Sequence, residues 1–335
     1  MEIFTTAYST LSATAVGNLV EKRYNLSGLH CKLLLRNVSD TYLLEGKTDL
    51  YIFKIFRKNY RSFEQLEGEA ELLHALKQAN ISISYVIKDL KGQSLQAFNA
   101  AEGLRYGLLY SYAKGKPNVI PTDEQLTVIG KTIANMHQVT AVVKLANDRP
   151  TYNFETTLHR PLKLVKQRFA ELPDEFSLIT KMAALAENKL SSFNLEEFSY
   201  GYCHYDLFPK NFHFDENDQI TLFDFDWMGK GYLANDLMVL HIHYFLLVDH
   251  QLMSQEDADR CFALLIENYS IVRPFSAQEL QALPYLGVMF FIFAFGFYEE
   301  NYEDFSITFY NLRFIKERVG LIKKYLNKHT GANVE

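Results

Sequence analysis

The spacing of apolar residues changes along the chain, and the change divides it. Over residues 9–24, Leu11, Val16, Leu19 and Val20 recur near helical spacing. Residues 32–35 and 41–45 then read as strands. A turn at Gly46, Lys47, Thr48 and Asp49 leads into a third strand, Leu50 to Phe56, rich in aromatic and β-branched residues. Helical spacing returns over 63–78, and residues 82–87 and 105–110 read as two further strands. Roughly five strands and one embedded helix over residues 1–112 make an α+β pattern. Residues 113–118, Ala-Lys-Gly-Lys-Pro-Asn, have linker composition. Beyond them the pattern is mainly helical, over 122–138, 160–170, 174–192, 235–249, 255–270, 277–298 and 303–328. The expected organisation is a strand-rich lobe at 1–112 and a helical lobe at 113–335.

Between the helices, Phe212 to Phe214 and Gln219 to Phe223 predict a short hairpin around the turn Asp215 to Asp218. Such a hairpin brings Asn211, before its first strand, near Asp224, after its second. An amide oxygen and a carboxylate suit a divalent cation. Asp206, five positions before Asn211 in a loop ahead of Leu-Phe-Pro, is a candidate base for a hydroxyl proton. His204 is either a second base or an anchor for that loop. Asp224 and Asp226 share a face by strand alternation, so a cation is expected between them unless they cap a turn.

Charged residues at apolar positions extend the pattern. Lys54 shares a strand face with Ile52 and Phe56, and an ammonium there needs a carboxylate or a phosphate, or must reach solvent at a sheet edge. On the helix at 63–78, Phe63, Leu66, Ala70, Leu73 and Leu76 form one apolar arc, with Glu64, Glu67 and Glu71 opposite. Glu69 falls inside the arc. Lys54 on the preceding strand is its economical partner, unless Glu69 reaches water at the edge of the arc. Asp236 precedes an apolar helix and reads as its N-terminal cap. His241 and His243 point apart on a helix and do not suit one ion.

Composition narrows the setting. The chain has 335 residues, 48% hydrophobic and 22% charged, with a net charge of −6. That is a globular balance and offers no basic footprint for nucleic acid or an anionic membrane. Three scattered cysteines exclude a disulfide frame or a zinc site, and the thiol of Cys203 lies in apolar and acidic surroundings. The opening residues lack a signal peptide, so a cytoplasmic protein is expected. Leu283 to Tyr298 is the longest apolar run, and with Pro284 inside it reads as a buried core helix.

Taken together, these motifs resemble the aminoglycoside phosphotransferase and choline kinase superfamily, over about residues 31–245. His204, Tyr205, Asp206 and Asn211 are similar to its H-x-D-x-x-x-x-N loop, and Asp224-Phe225-Asp226 is similar to the kinase D-F-G. The resemblance extends to Leu108 to Gly115 as strand and hinge, to Ile129 to His137 as the next helix, and to Asn37 to Tyr42 as the nucleotide-covering turn. Motif spacing is nearest to the homoserine kinase type II and bacterial stress-response Ser/Thr kinase branch. It implies a two-lobed, protein-kinase-like α+β fold with ATP and Mg2+. By that resemblance Lys54, paired with Glu69, holds phosphates and Asp206 orients or deprotonates the acceptor hydroxyl. Asn211 and Asp224 hold Mg2+, Asn37 and Ser39 cover the nucleotide, and the backbone around Tyr110 and Tyr112 receives adenine. Asp226 touches a second metal or the substrate. The chain departs from the pattern in two places: its 37–42 turn has no glycine, and Tyr205 stands where many members carry glycine, narrowing the acceptor side.

The expected reaction is phosphoryl transfer to a hydroxyl of a small molecule, by a monomer or homodimer without nucleic-acid or membrane partners. Asp226, Glu299, Glu300, Glu303 and Asp304 would favour an amine-bearing acceptor (an amino alcohol, amino sugar, aminoglycoside or homoserine-like molecule), although a solvated helix end is the better account of the last four. A Ser/Thr protein kinase of the same fold, a metal-dependent hydrolase and a nucleotide-binding module without turnover are the competing readings.

Overall fold

The computed structural model describes residues 4–147, 149–302 and 307–334. The chain forms two compact units. The first comprises Met1–Lys114, Lys144–Arg149 and Thr221–Phe223, and the second Gly115–Val143, Pro150–Ile220 and Asp224–Glu335.

In the first unit α1 (Ala13–Tyr24) is followed by β1 (His30–Arg36), β2 (Ser39–Glu45) and β3 (Leu50–Phe56), then α2 (Phe63–Gln78), β4 (Leu95–Ala100) and β5 (Gly103–Ser111). The strands make one antiparallel sheet in the order β1-β2-β3-β5-β4. Strand alternation divides its faces. Tyr42, Leu44, Phe53, Ile55 and Leu109 pack with Val16, Val20 and Tyr24 of α1 in one buried cluster. Ser62 starts α2 with a reciprocal capping box to Gln65. The expected strand at 82–87 is not one: this segment makes isolated bridges from Ile83 to Leu222 and from Val86 to Tyr110. The fifth strand is β4, which the sequence pattern had left unassigned.

A buried arginine ties the sheet to the start of the chain. The Arg105 guanidinium donates to the carbonyls of Ile55, Phe56 and Ser9 and to Asp40 Oδ2, at 2.8–2.9 Å. Asp40 is fully buried, so this ion pair is sustained by its surrounding hydrogen bonds.

From Gly115 onward the chain is mainly helical: α3 (Asp123–Thr140), α4 (Arg160–Val165), α5 (Pro173–Leu190), then β6 (Tyr200–Cys203), β7 (Phe212–Phe214), β8 (Ile220–Leu222) and β9 (Gly229–Tyr232), then α6 (Ala234–Asp249), α7 (Gln255–Val272), α8 (Ala277–Glu300) and α9 (Leu312–Thr330). The hairpin β7–β8 forms as expected. Helix α4 is shorter than its sequence pattern, because residues 166–170 form turns; a π-turn, Glu155–His159, precedes it. Helix α9 begins at Leu312 instead of 303, and residues 303–306 lie outside the described ones. Helix α8 is long and apolar enough to cross a membrane, but 72% of its most apolar stretch is buried inside the protein, as in a core helix.

Where the chain leaves β5, Gly115 has φ +92° and lies against β7: a Cβ there would stand 1.9 Å from the Phe214 carbonyl oxygen. Lys116 and Phe214 exchange backbone hydrogen bonds at 3.0 and 2.9 Å. Gly115→Ala is therefore expected to lower stability by about 2 kcal/mol or more, read by urea denaturation. A loss within about 0.5 kcal/mol, typical of a surface substitution, would contradict the close approach.

Candidate active site

Lys54 lies in the middle of β3, opposite Thr41 of β2 and Leu108 of β5, so its strand is central and the edge reading is excluded. Its half-buried ammonium lies 5.9 Å from the Tyr110 ring centroid. The Tyr110 hydroxyl donates to Glu69 Oε1 at 2.8 Å, and Glu69 is 2% exposed, as its place inside the apolar arc of α2 requires. The sheet face away from α1 thus gathers an ammonium, a phenol and a buried carboxylate around one ring. Glu71 differs from its solvated expectation. It accepts from the Ala146 and Asn147 amides and the Asn147 side chain, fastening that segment to α2.

Tyr110 is more committed than the sequence implied. Besides its bond to Glu69, it pairs with Ile52 in the β3–β5 ladder, while Ile87 donates to the Leu109 carbonyl and Ser111 donates to that of Tyr85. Tyr112 is the first residue beyond that strand. At the β1–β2 turn, Asn37 Oδ1 accepts from the Val38 amide and the Asn37 amide donates to the Ser39 carbonyl. Asn37 is exposed with its Oδ1 held by its own turn, and Ser39 is buried.

In the second unit, the segment after β6 holds His204, Tyr205, Asp206, Lys210 and Asn211. Asn211 Nδ2 donates to the Asp206 carbonyl at 2.7 Å and to Asp206 Oδ2 at 2.8 Å. Its amide donors spent, Asn211 has its carbonyl oxygen left for a cation. The Lys210 ammonium pairs with the same Asp206 oxygen at 3.0 Å, a contact that sequence reasoning missed although the i, i+4 spacing was visible. Burial raises the Asp206 pKa and the charge of Asp224 raises it further, with Lys210 opposing.

What shapes this loop is Asp236. Its Oδ2 accepts from the His204 amide at 3.0 Å and its Oδ1 from the Tyr205 amide at 2.7 Å. Oδ2 also lies 2.9 Å from His137 Nε2, and His137 Nδ1 lies 2.9 Å from the Tyr269 hydroxyl. The residue that caps α6 by position, Leu233, makes no side-chain cap. Asp236 is therefore an anchor for the loop and not the helix cap that its position suggested. Tyr205 sits at φ 66°, a left-handed conformation unusual for a bulky residue, and its own amide and that of His204 are held by one carboxylate. His204 is buried and its Nδ1 accepts from the Asp206 amide at 3.3 Å, which makes it a loop anchor.

Asp224 also adopts a left-handed conformation, φ 64°, and starts a short turn, Phe225–Trp227. Phe225 is buried with its ring 4.4 Å from that of His204, while Asp224 and Asp226 are half-buried. Tyr205 does not narrow the acceptor side: it is 1% exposed and stacks on Tyr152 at 3.5 Å between centroids. The aromatic surface next to the loop comes instead from α8, whose Phe290, Phe293 and Phe297 meet Trp227 at 6.1, 5.2 and 4.9 Å.

Other sequence candidates are committed elsewhere. Glu299 pairs with Arg168 at 3.0 Å and Glu300 with Arg160. These bridges tie the end of α8 to residues 160–168. Glu303 and Asp304 lie outside the described residues. His241 Nδ1 lies 2.8 Å from the Tyr325 hydroxyl and His243 Nε2 lies 2.7 Å from the Val119 carbonyl, so the two serve different neighbours. Cys203 is buried, its thiol pKa raised well above the ordinary value chiefly by burial. Among the described residues no group of three or more His, Cys, Asp or Glu side chains is placed to hold a metal. One carboxylate and one amide oxygen fit Mg2+, which keeps waters and takes substrate phosphates as ligands.

Comparison with known proteins agrees with this geometry. Residues 30–275 match the model of the phosphotransferase enzyme family. Over 223 residues the chain is 29% identical to the amicoumacin kinase of Bacillus subtilis, covering 65% of this chain and 64% of that protein. Over 247 residues it is 24% identical to the homoserine kinase of Methylobacillus glycogenes, covering 72% and 70%. A microcompartment-associated aminopropanol kinase superposes with a TM-score of 0.74 at 18% identity, covering 96% of this chain and 100% of that one. An amicoumacin kinase solved with AMP-PNP, Ca2+ and its antibiotic superposes with a TM-score of 0.73 at 18% identity, covering 92% and 94%. The α+β fold is thus the kinase-like fold expected from the motifs.

The Asp236 anchor can be tested by stability. Burial alone would raise its pKa, but the His137 hydrogen bond and charge, His204 and the Tyr205 amide together bring it below the ordinary value. A depressed carboxylate stabilises the fold fully above its unfolded value, 3.8, and loses that contribution as the pH falls through the folded value. Asp236→Asn should therefore cost about 3 kcal/mol at neutral pH, with the gap to the parent closing under acid. A small gap, or one that ignores pH, would count against the anchor.

Proposed function

The chain belongs to the phosphotransferase enzyme family, and from that premise we propose that it moves the γ-phosphate of ATP, with Mg2+, to a hydroxyl of a small amine-bearing molecule. The observation that carries this reading is the Asp206–Asn211 pair, in which one loop presents a partly desolvated carboxylate held by an amide nitrogen whose carbonyl oxygen is left over for a cation. Asp206 orients the acceptor hydroxyl and takes its proton; a raised pKa moves a carboxylate toward the range in which it serves as a base. Asn211 and Asp224 are the residues that would hold Mg2+. When bound, the ion neutralises charge on the transferring phosphate. Lys54, backed by Glu69, neutralises phosphate oxygens, and Lys210 balances Asp206 when no acceptor is present. Adenine is received by the main chain at Tyr112, beyond the β5 ladder.

The relatives with named activities act on amicoumacin, aminopropanol and homoserine, which supports a hydroxyl-bearing small molecule with an amine. A hydrolase built on His241 and His243 is disfavoured by their separate partners.

Two measurements test the proposal. ATP with Mg2+ should raise the melting temperature well beyond Mg2+ alone. A shift produced by metal alone, with none from ATP, would remove the nucleotide from the account. Asp206→Asn should keep that ATP shift yet lower ADP release in the presence of acceptor by about 10²- to 10⁴-fold, the usual contribution of a general base. Unchanged turnover in this variant would strip Asp206 of its role.

A further inference from the structure

Helix α9 carries an arginine that is half-buried against ring faces. Of the exposed cations on the same helix, Arg313, Lys316 and Lys324 have carboxylate partners, Glu317, Glu175 and Asp249, and Lys328 lies over the Phe245 ring at 5.7 Å. Arg318 is half-buried, and among the described residues it has no carboxylate partner. Its contacts are ring faces, Phe314 at 5.1 Å and Phe291 at 5.9 Å. Burial lowers its pKa, and Tyr298 partly offsets the effect. A guanidinium stays charged in such a place, and cation–π contact compensates only part of its lost hydration. None of its nitrogens is among the buried side-chain atoms that lack a partner, so the N–H donors of its fork remain open to solvent and to a ligand.

Those walls lead to the catalytic loop. Phe291 adjoins Phe290 at 6.0 Å, Phe290 meets Phe208 at 6.0 Å, and the Lys210 ammonium lies 6.0 Å from the Phe208 ring. Lys210 is the partner of Asp206. Tyr298 closes the other side, 5.9 Å from Phe314. Burial chiefly raises its pKa, with Arg318 and Lys210 lowering it and Asp206 raising it, so one phenol lies in the field of all three charges. The nearby carboxylates of Glu299 and Glu300 are committed to Arg168 and Arg160. Among the described residues, this side of the loop is therefore apolar and cationic.

Resting on the reading of Asp206 as the base of a phosphotransferase, we propose that Arg318 binds a carboxylate of the acceptor, which is then a hydroxy acid, with hydroxy amino acids the class that also carries an amine. A planar carboxylate matches one guanidinium fork, whereas a doubly charged phosphate calls for more than one cation. The rings of Phe208, Phe290 and Phe291 flank the carbon chain between hydroxyl and carboxylate.

The test compares hydroxy amino acids with the amino alcohols left when their carboxylate is removed: homoserine with 3-aminopropanol, serine with ethanolamine, and threonine with 1-amino-2-propanol. For each pair, kcat/KM is measured by ADP release in the parent protein, in Arg318→Met and in Arg318→Lys. The parent should prefer the acid of at least one pair by about tenfold or more, the gain expected from one charge-assisted contact. Arg318→Met should bring that ratio toward one through KM, and Arg318→Lys should retain part of it. A preference for the amino alcohols, an unchanged ratio in Arg318→Met, or no turnover of any acid while ATP still shifts the melting temperature would each overturn the inference and leave the phosphotransferase reading standing. Loss of the ATP shift in the parent would fail that reading first, and this one with it.

Discussion

One buried carboxylate organises the chemistry of the second unit. Asp236 is fully buried on α6, and its two oxygens accept the successive amides of His204 and Tyr205. Removing a charge from water is costly, and three donors within about 3 Å, supplied by the loop and by His137, repay that cost. Because both amides point at one carboxylate, Tyr205 is held in a left-handed conformation, and the chain turns so that Asp206 emerges toward Lys210 and Asn211. The tyrosine's bulk is absorbed by stacking on Tyr152 and packing on Phe290 and Phe293. Backbone strain and aromatic burial here serve the same end, a fixed direction for the Asp206 carboxylate.

Commitment of charge sets the proposed base apart from the structural carboxylates. Asp40 with Arg105, Glu71 with the 146–147 amides, and Glu299 and Glu300 with their arginines all close tertiary contacts. Asp206 differs. Its charge is opposed by burial and by Asp224, and its cationic partner Lys210 is an exposed, flexible side chain that an incoming group can displace. A site meant to exchange partners holds its charges this way, because a fully satisfied network would have to be broken at each turnover.

Local signals in the sequence carried much of this, and partners distant in sequence were what they could not carry. The buried place of Glu69 was legible from helical periodicity alone, and the Asp206–Asn211 loop from its motif. The strand read at 82–87 failed because an apolar extended segment can bridge its neighbours without joining the ladder, whereas Leu95–Ala100, with Gln96 and Asn99, has weak strand composition yet pairs fully with β5. An aspartate ahead of an apolar helix is the usual sign of a cap, and the sequence around Asp236 carries that sign. Its actual partners stand 31, 32 and 99 residues away. For Glu299 the sequence offers a substrate-facing acid or a solvated helix end, and neither reading contains its arginine, which lies 131 residues earlier. Tyr205 showed its bulk in the sequence but not its direction, which depends on Tyr152 and α8.

The central claim is that this loop directs a phosphoryl group onto a carbon-borne hydroxyl and not onto water. Phosphorus NMR of the protein with ATP, Mg2+ and a hydroxy amino acid tests it most directly. The account predicts a phosphate monoester signal that grows one for one with ADP. ADP accompanied only by inorganic phosphate, across the hydroxyl-bearing acceptors tried, would contradict it.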